Sequence, residues 1–333
     1  MAEKKSSKTS DSLAAFTKGL KKYRRFLLAC HVAPEGDAIG SILAMESLLR
    51  RLGKKTTVVA EDEFPSRLHC LSSKHWKQLD KLKTRPAFDA LVVADCPTLE
   101  RIGRVRELVT PDTVIFNIDH HVSNQYFAHY NYVRPGAAAS GEVVYDIFKH
   151  LKMRLGREEA TNLYVALSTD TGSFKYDNTT VHSHQIAAEL IGAGINLEKI
   201  NEDLYSTYSL NKINLYSRLL GRVTTDAEGK IAWVAMRRRD LQESGATDED
   251  TEGFIDFLKF LREVKIAFFM TESQNDGHIR VSFRSKDSYD VNKIATWFNG
   301  GGHKKASGCI MRATLEEAEE MILKRLHQEF KIS

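Results

Sequence analysis

Several apolar runs in this chain end in a residue that can bind a metal. FLLAC at 26–30 leads into His31, with Glu35 and Asp37 just beyond. ALVVA at 90–94 ends in Asp95, TVIFNI at 113–118 in Asp119-His120-His121, and YVALST at 164–169 in Asp170. Mixed carboxylate and imidazole donors without a thiolate pair favour Mn²⁺ over a structural Zn²⁺ site, and Mg²⁺ prefers fewer histidines. Two neighbouring cations repel unless an anionic oxygen lies between them. Asp95, alone at its strand end, is the residue expected to bridge. Taken singly, each residue has an ordinary explanation. An Asp at a strand end is commonly a turn or cap residue, and Asp37 would cap a helix from Ala38. The argument rests on the same placement recurring in separate segments. Cys30 and Cys96 flank candidate ligands but read as core filling, and His182 and His184 as exposed residues near a helix start.

The elements that must position these residues alternate. Short β-branched or apolar runs at 26–30, 56–60, 90–94 and 113–118 read as strands. Helical spacing links Ile39, Leu43 and Leu48/Leu49, with a stop at Gly53, and further helices are expected over 141–151 and 158–167. Strands alternating with helices predict an α/β fold with a mostly parallel sheet. In such sheets ligands bind beyond the carboxyl ends of the strands, where the residues above fall. After His182 two helical stretches follow, and a smaller α+β domain begins near Leu219. There, strands are expected on either side of an Asp-Ala-Glu-Gly turn, at 264–271 and at 278–284. Helices are expected after an N-cap at Thr247 and over 291–298, followed by the run Gly300, Gly301, Gly302. The expected division is a basic flexible tail over 1–22, a first domain over 23–190, a helical linker over 191–215 and a second domain over 216–333.

Composition narrows the function. Of the 333 residues, 42% are hydrophobic and 28% charged, as in a soluble globular protein. No apolar run is long enough for a membrane span, and residues 1–22 lack a signal-peptide pattern. The four cysteines form no CxxC pair, so a reduced, cytoplasmic protein is expected. The net charge of +4 is concentrated at the start: residues 1–25 hold eight Lys/Arg against Glu3 and Asp11, so the remainder is slightly acidic. Binding to long duplex DNA through many phosphate contacts is therefore not expected.

Four segments, HVAPEGDAIGS (31–41), VVADCPTLERIG (92–103), NIDHHVSN (117–124) and STDTGSF (168–174), resemble in order the motifs of the DHH phosphoesterase superfamily. FRSK (283–286) and NGGGHKKASG (299–308) resemble the signature of the associated DHHA1 domain. The compact length is similar to the nanoRNase/pAp phosphatase branch. The resemblance implies two Mn²⁺ ions per chain, one held by His31, Glu35 and Asp95, the other by Asp37, Asp95, His120 and Asp170. It implies that His121 contacts the scissile phosphate and that Asp119 supports the histidines from behind. In the second domain it implies substrate contacts from Arg284, Ser285, Gly300, Gly301, Gly302 and His303, with His121 and His303 reaching the phosphate from opposite sides of a cleft. Glu35 departs from the family's Asp, adding roughly 1.5 Å of reach. A misplacement near 1 Å can cost on the order of 100-fold in rate. Asn299 stands where another glycine is common.

The implied reaction is attack of water on phosphorus, with hydrolysis of short RNA and pApA to mononucleotides and of pAp to AMP, in a homodimer. Cyclic di-AMP hydrolysis is the competing enzymatic reading. A nucleotide-binding regulator weakened by Glu35 is the competing reading of another class. The glycine-rich second domain disfavours a family II inorganic pyrophosphatase.

Overall fold

The structure is a computed structural model that describes residues 12–205, 208–226, 228–273 and 277–330. The chain forms two compact units, Met1–Thr207 and Tyr208–Ser333.

The first unit is built on six strands: β1 (Arg25–Ala29), β2 (Lys55–Ala60), β3 (Trp76–Gln78), β4 (Ala90–Ala94), β5 (Val114–Asp119) and β6 (Tyr130–Val133). Their order is β3-β2-β1-β4-β5-β6, and every pairing is parallel. β1 and β4 are apolar on both faces because both faces are covered, as parallel sheets require. Phe26, Leu28, Val92 and Ala94 pack toward the helical layer. The alternate residues Leu27, Ala29, Leu91 and Val93 meet Ile102 and Val105 of the 3₁₀ segment Leu99–Leu108.

Among the described residues six helices complete this unit: α1 (Leu13–Lys22), α2 (Gly36–Arg51), α3 (Ser140–His150), α4 (Arg157–Asp170), α5 (Val181–Gly192) and α6 (Leu197–Tyr205). α2 and α4 pack closely enough that a Cβ on Gly40 would lie 2.2 Å from the Asn162 carbonyl oxygen. Only glycine admits that approach. The expected flexible tail is corrected over residues 13–22. α1 is capped by Ser12 and buries Phe16 and Leu20, four residues apart on one face, in the main core. The rest of that tail, residues 1–11, lies outside the described residues.

The second unit is α+β. Its sheet has the order β11-β12-β10-β9-β8-β7, with β7 (Thr224–Thr225), β8 (Ile231–Met236), β9 (Ile266–Glu272), β10 (His278–Ser285), β11 (Gly301–Gly302) and β12 (Ala306–Arg312). All pairings are antiparallel except β8 with β9. Helices α7 (Leu210–Leu220), α8 (Arg238–Ser244) and α9 (Phe254–Phe260) belong to one face. α10 (Val291–Trp297) and α11 (Leu315–Phe330) belong to the other. Ala227 of the expected Asp-Ala-Glu-Gly turn lies outside the described residues. The helix expected to follow Thr247 is delayed: a 3₁₀ turn occupies Asp248–Thr251, and Gly253, at φ +83°, interrupts before α9 starts at Phe254. Among the described residues, no helix is long and apolar enough to cross a membrane.

Candidate metal and phosphate centre

The carboxyl ends of β1, β4 and β5 bring His31, Asp95, Asp119, His120 and His121 to one edge, where the first turn of α2 adds Asp37 and the last turn of α4 adds Asp170. β4 ends abruptly. Asp95 takes a left-handed conformation, φ +57°, which Asp tolerates better than most residues, and its N–H donates to the Ile118 carbonyl at 2.9 Å. Its side chain is thereby fixed beyond the strand, where its Oδ1 accepts from Ser140 Oγ at 2.9 Å.

Asp37 is buried. Its carboxylate accepts the N–H groups of Ser140 (2.7 Å) and Gly141 (2.9 Å), the positive end of α3, and the Ser41 hydroxyl (3.0 Å). The histidines share a pattern. His31 Nδ1 meets the Val32 carbonyl at 2.8 Å and His120 Nδ1 the Ala137 carbonyl at 3.2 Å, so each directs Nε2 inward. His31 Nε2 lies 3.5 Å from Asp95 Oδ2. His120 Nε2 lies 3.8, 3.6 and 3.5 Å from oxygens of Asp37, Asp95 and Asp170. His121 is held differently, with Nδ1 2.7 Å from Asp119 Oδ1, while Asn124 Nδ2 donates to Asp119 Oδ2 at 2.5 Å.

The electrostatics follow from this crowding. Burial, then the charges of Asp95 and Asp170, push the Asp37 carboxyl well above the ordinary range. Burial likewise pushes Asp170 up to about 6, with Asp95 and Glu35 adding to it and His120 and His121 opposing. Burial also opposes charge on Asp95, but the His31 contact and the three histidine charges outweigh it and hold that carboxyl low. For His120, burial is outweighed by Asp37, Asp95, Asp170 and Asp119, which raise it to about 9. A site that strains its acids toward protonation is short of positive charge.

Divalent cations fit that deficit. Asp37, His120 and Asp170 form one group able to hold an ion, and Asp95, His120 and His121 form another. Nitrogen–oxygen gaps of 3.5–3.8 Å are too long for hydrogen bonds. They suit donors that would share one cation between them. Thiolates do not compete: Cys30 and Cys96 are buried, and burial pushes both thiols up.

Glu35 is not in either group. It stands exposed at the N-cap of α2, makes no capping hydrogen bond, and its charge is felt at Asp170. In the second unit, Ser285 is buried and its hydroxyl donates to the Tyr289 carbonyl at 2.8 Å, so it is not presented to solvent. Arg284 is half-buried beside Asp256, with Nε–Oδ1 3.5 Å. Gly301 and Gly302 form β11 and pair with Gly308 and Ser307. Gly300 is needed for packing, since a Cβ there would fall 2.1 Å from the Gly308 carbonyl. His303 is exposed, and its N–H is engaged by the Ala306 carbonyl at 2.7 Å. Sequence reasoning missed Ser140 and Asn124. The only signal for Ser140 was a small-residue run leading into a helix, and Asn124 gave none.

Residues 25–167 match the DHH family, N-terminal domain, and residues 228–332 match the DHHA1 domain. This chain belongs to the DHH/DHHA1 phosphoesterase superfamily. It is 29% identical over 303 residues to the bifunctional oligoribonuclease and PAP phosphatase NrnA of Thermus thermophilus, covering 91% of this chain and 89% of that one. The protein of the same name in Bacillus subtilis is 29% identical over 290 residues, 86% of this chain and 89% of its own. A crystal structure of an exopolyphosphatase-related protein from Bacteroides fragilis superposes with a TM-score of 0.89 at 26% identity, covering 96% of this chain and 97% of the other. DHH phosphoesterases are metal-dependent, and the family and these relatives support a hydrolytic phosphoesterase here.

Proposed function

We propose that this DHH/DHHA1 protein hydrolyses short oligoribonucleotides such as pApA to mononucleotides, and pAp to AMP, with two Mn²⁺ ions per chain. The observation that carries the reading is the convergence of His31, His120 and His121 on the single carboxylate Asp95. The relatives, named as oligoribonuclease and PAP phosphatase, supply the substrate class. His31, Asp95 and Glu35 are assigned to one ion, and Asp37, Asp95, His120 and Asp170 to the other. Such ions supply Lewis-acid stabilisation of phosphoryl charge and lower the pKa of an attacking water.

The chain's own residues do the rest. Asp119 holds His121 Nδ1, leaving Nε2 to face a phosphoryl oxygen of the substrate. Ser140 and the N-terminus of α3 hold Asp37 and Asp95 in place. Water adds to phosphorus as the bond to the leaving nucleoside oxygen breaks, and the water's proton leaves with that oxygen. Arg284, Gly300, Gly301, Gly302 and His303 are assigned to substrate binding, with Ser285 supporting their loop from within. A cytoplasmic homodimer is part of the proposal, and light scattering checks the dimer.

The exposed position of Glu35 favours one second reading, a nucleotide-binding protein of weakened turnover. One panel separates the readings. The chain and its Glu35→Asp variant are assayed with Mn²⁺ on pApA, pAp, short RNA and cyclic di-AMP, with metal content measured on the same samples. AMP release from pApA with two Mn²⁺ per chain is expected. Tight binding without hydrolysis by either protein would replace the enzyme by the regulator, and a preference for cyclic di-AMP would reassign the substrate.

A further inference from the structure

The amino ends of β1 and β2 form a second concentration of charge, on the edge of the sheet opposite the carboxylates. Six residue steps separate Arg25 from His31, about 20 Å along an extended strand. At that edge an open cavity of about 600 Å³ is lined by four cations, Arg24, Arg25, Lys54 and Lys55, against one acid, Asp89.

Asp89 is already fully engaged. Its Oδ1 accepts from Arg25 Nε at 3.0 Å and Nη2 at 2.5 Å, and its Oδ2 accepts the Arg25 N–H at 3.1 Å. Arg25 is thus neutralised, and three positive charges remain. Lys54 Nζ donates to the carbonyls of Lys21 (2.9 Å) and Tyr23 (2.7 Å), which engages two of its three hydrogens and leaves its charge unpaired. Burial and the neighbouring Arg24 charge lower the Lys54 pKa, the sign of a cation short of anions. The side chains of Arg24 and Lys55 are exposed and make no hydrogen bond or ion pair among the described residues. Pairing of β1 with β2 holds these positions together, with Arg25 opposite Lys55.

We infer that this cavity is a non-catalytic binding site for a small molecule carrying two adjacent phosphate groups. Lone surface cations are ordinary. Here the cations stand at the amino ends of two neighbouring strands, surround one concave space, and apart from Asp89 meet no counter-charge among the described residues. A single phosphate monoester carries about −1.5 to −2 at neutral pH, less than the excess of three, whereas two joined phosphates match it. A cavity of this volume falls within the roughly 300–1,000 Å³ of small-molecule sites. Because the site is open, its affinity falls with added salt.

The test is calorimetric titration of the full-length protein with imidodiphosphate, a non-hydrolysable pyrophosphate analogue, at about 0.15 M salt, a Debye length near 8 Å. The wild type is compared with Arg24→Glu/Lys55→Glu, and with Lys83→Glu/Lys324→Glu, which makes the same charge change at exposed positions elsewhere. Apart from binding at the metal centre, one saturable event per chain is expected to weaken at least tenfold in the first variant and to persist in the second, with the melting profile unchanged. Three results overturn the inference: the absence of saturable binding, wild-type binding in Arg24→Glu/Lys55→Glu, or equal loss in both variants.

Discussion

Asp119 Oδ1 lies 2.7 Å from His121 Nδ1, and the carboxylate behind that contact is closed off from solvent. An acid that cannot reach substrate thereby fixes which ring nitrogen of His121 remains open. Asp119→Asn is expected to lower kcat on pApA by about 10–100-fold with little change in KM, because orientation is lost and binding surface is not. Steady-state kinetics check this, and unchanged kcat would remove Asp119 from the site.

Ser140 joins the two central acids, giving its hydroxyl to Asp95 and its N–H to Asp37. Ser140→Ala removes only the first of these bonds. A loss of ~1.5–3 kcal/mol is expected by urea unfolding, the range for a bond to a charged group. Manganese affinity should weaken as well, measured by competition with a chelator.

Asp170 gives a pH prediction for metal-stripped protein. Its folded pKa is about 6, against a reference of 3.8. The folded state therefore holds the proton more tightly, and stability falls as pH rises from about 4 to about 6, with the full penalty present above that. In chelator, melting temperature should be lower at pH 7 than at pH 5 through this group. Asp170→Asn should flatten that difference and stabilise the stripped protein at pH 7 while costing activity. A variant that melts at the wild-type temperature at pH 7 would contradict the charge-deficit account.

Gly40 sets the spacing between the helices that carry Asp37 and Asp170. Gly40→Ala places a methyl 2.2 Å from the Asn162 carbonyl oxygen, so α2 and α4 must separate. Destabilisation of at least ~1–3 kcal/mol is expected, together with reduced metal content of the purified protein. Metal content at the wild-type level would show that the ligands tolerate the shift.

Phe16 is fully buried although it follows a run of lysines. Phe16→Ala should cost ~3–5 kcal/mol in thermal or urea unfolding, as for other buried aromatics. A tail residue would cost nothing.

Legibility in the sequence followed the physics of each segment. The four central strands β1, β2, β4 and β5 announced themselves because burial on both faces demands unbroken apolar runs, and the acids and histidines stand where those runs stop. The edge strands β3 and β6, short and only partly buried, did not. α1 was hidden because only Phe16 and Leu20 mark its inner face, while Lys18, Lys21 and Lys22 dominate its composition. Ser140 was hidden because its role depends on a backbone N–H and on residues 103 and 45 positions distant. The glycine run carried no local strand signal. Its pairing with Gly308 and Ser307 is a tertiary event that no local pattern encodes.

The left-handed exit of β4 limits what position 95 tolerates. Gly would relax the backbone and delete the oxygens. Glu would retain the acid on a longer stem, in a conformation where short Asn and Asp are favoured. Asn keeps shape and backbone and removes the charge alone, so it is the replacement that separates chemistry from architecture there. Position 35 sits in ordinary extended geometry at an open helix end. Sequence drift meets a bottleneck at one acid and wide latitude at the other, and the departure from the family pattern lies on the permissive side.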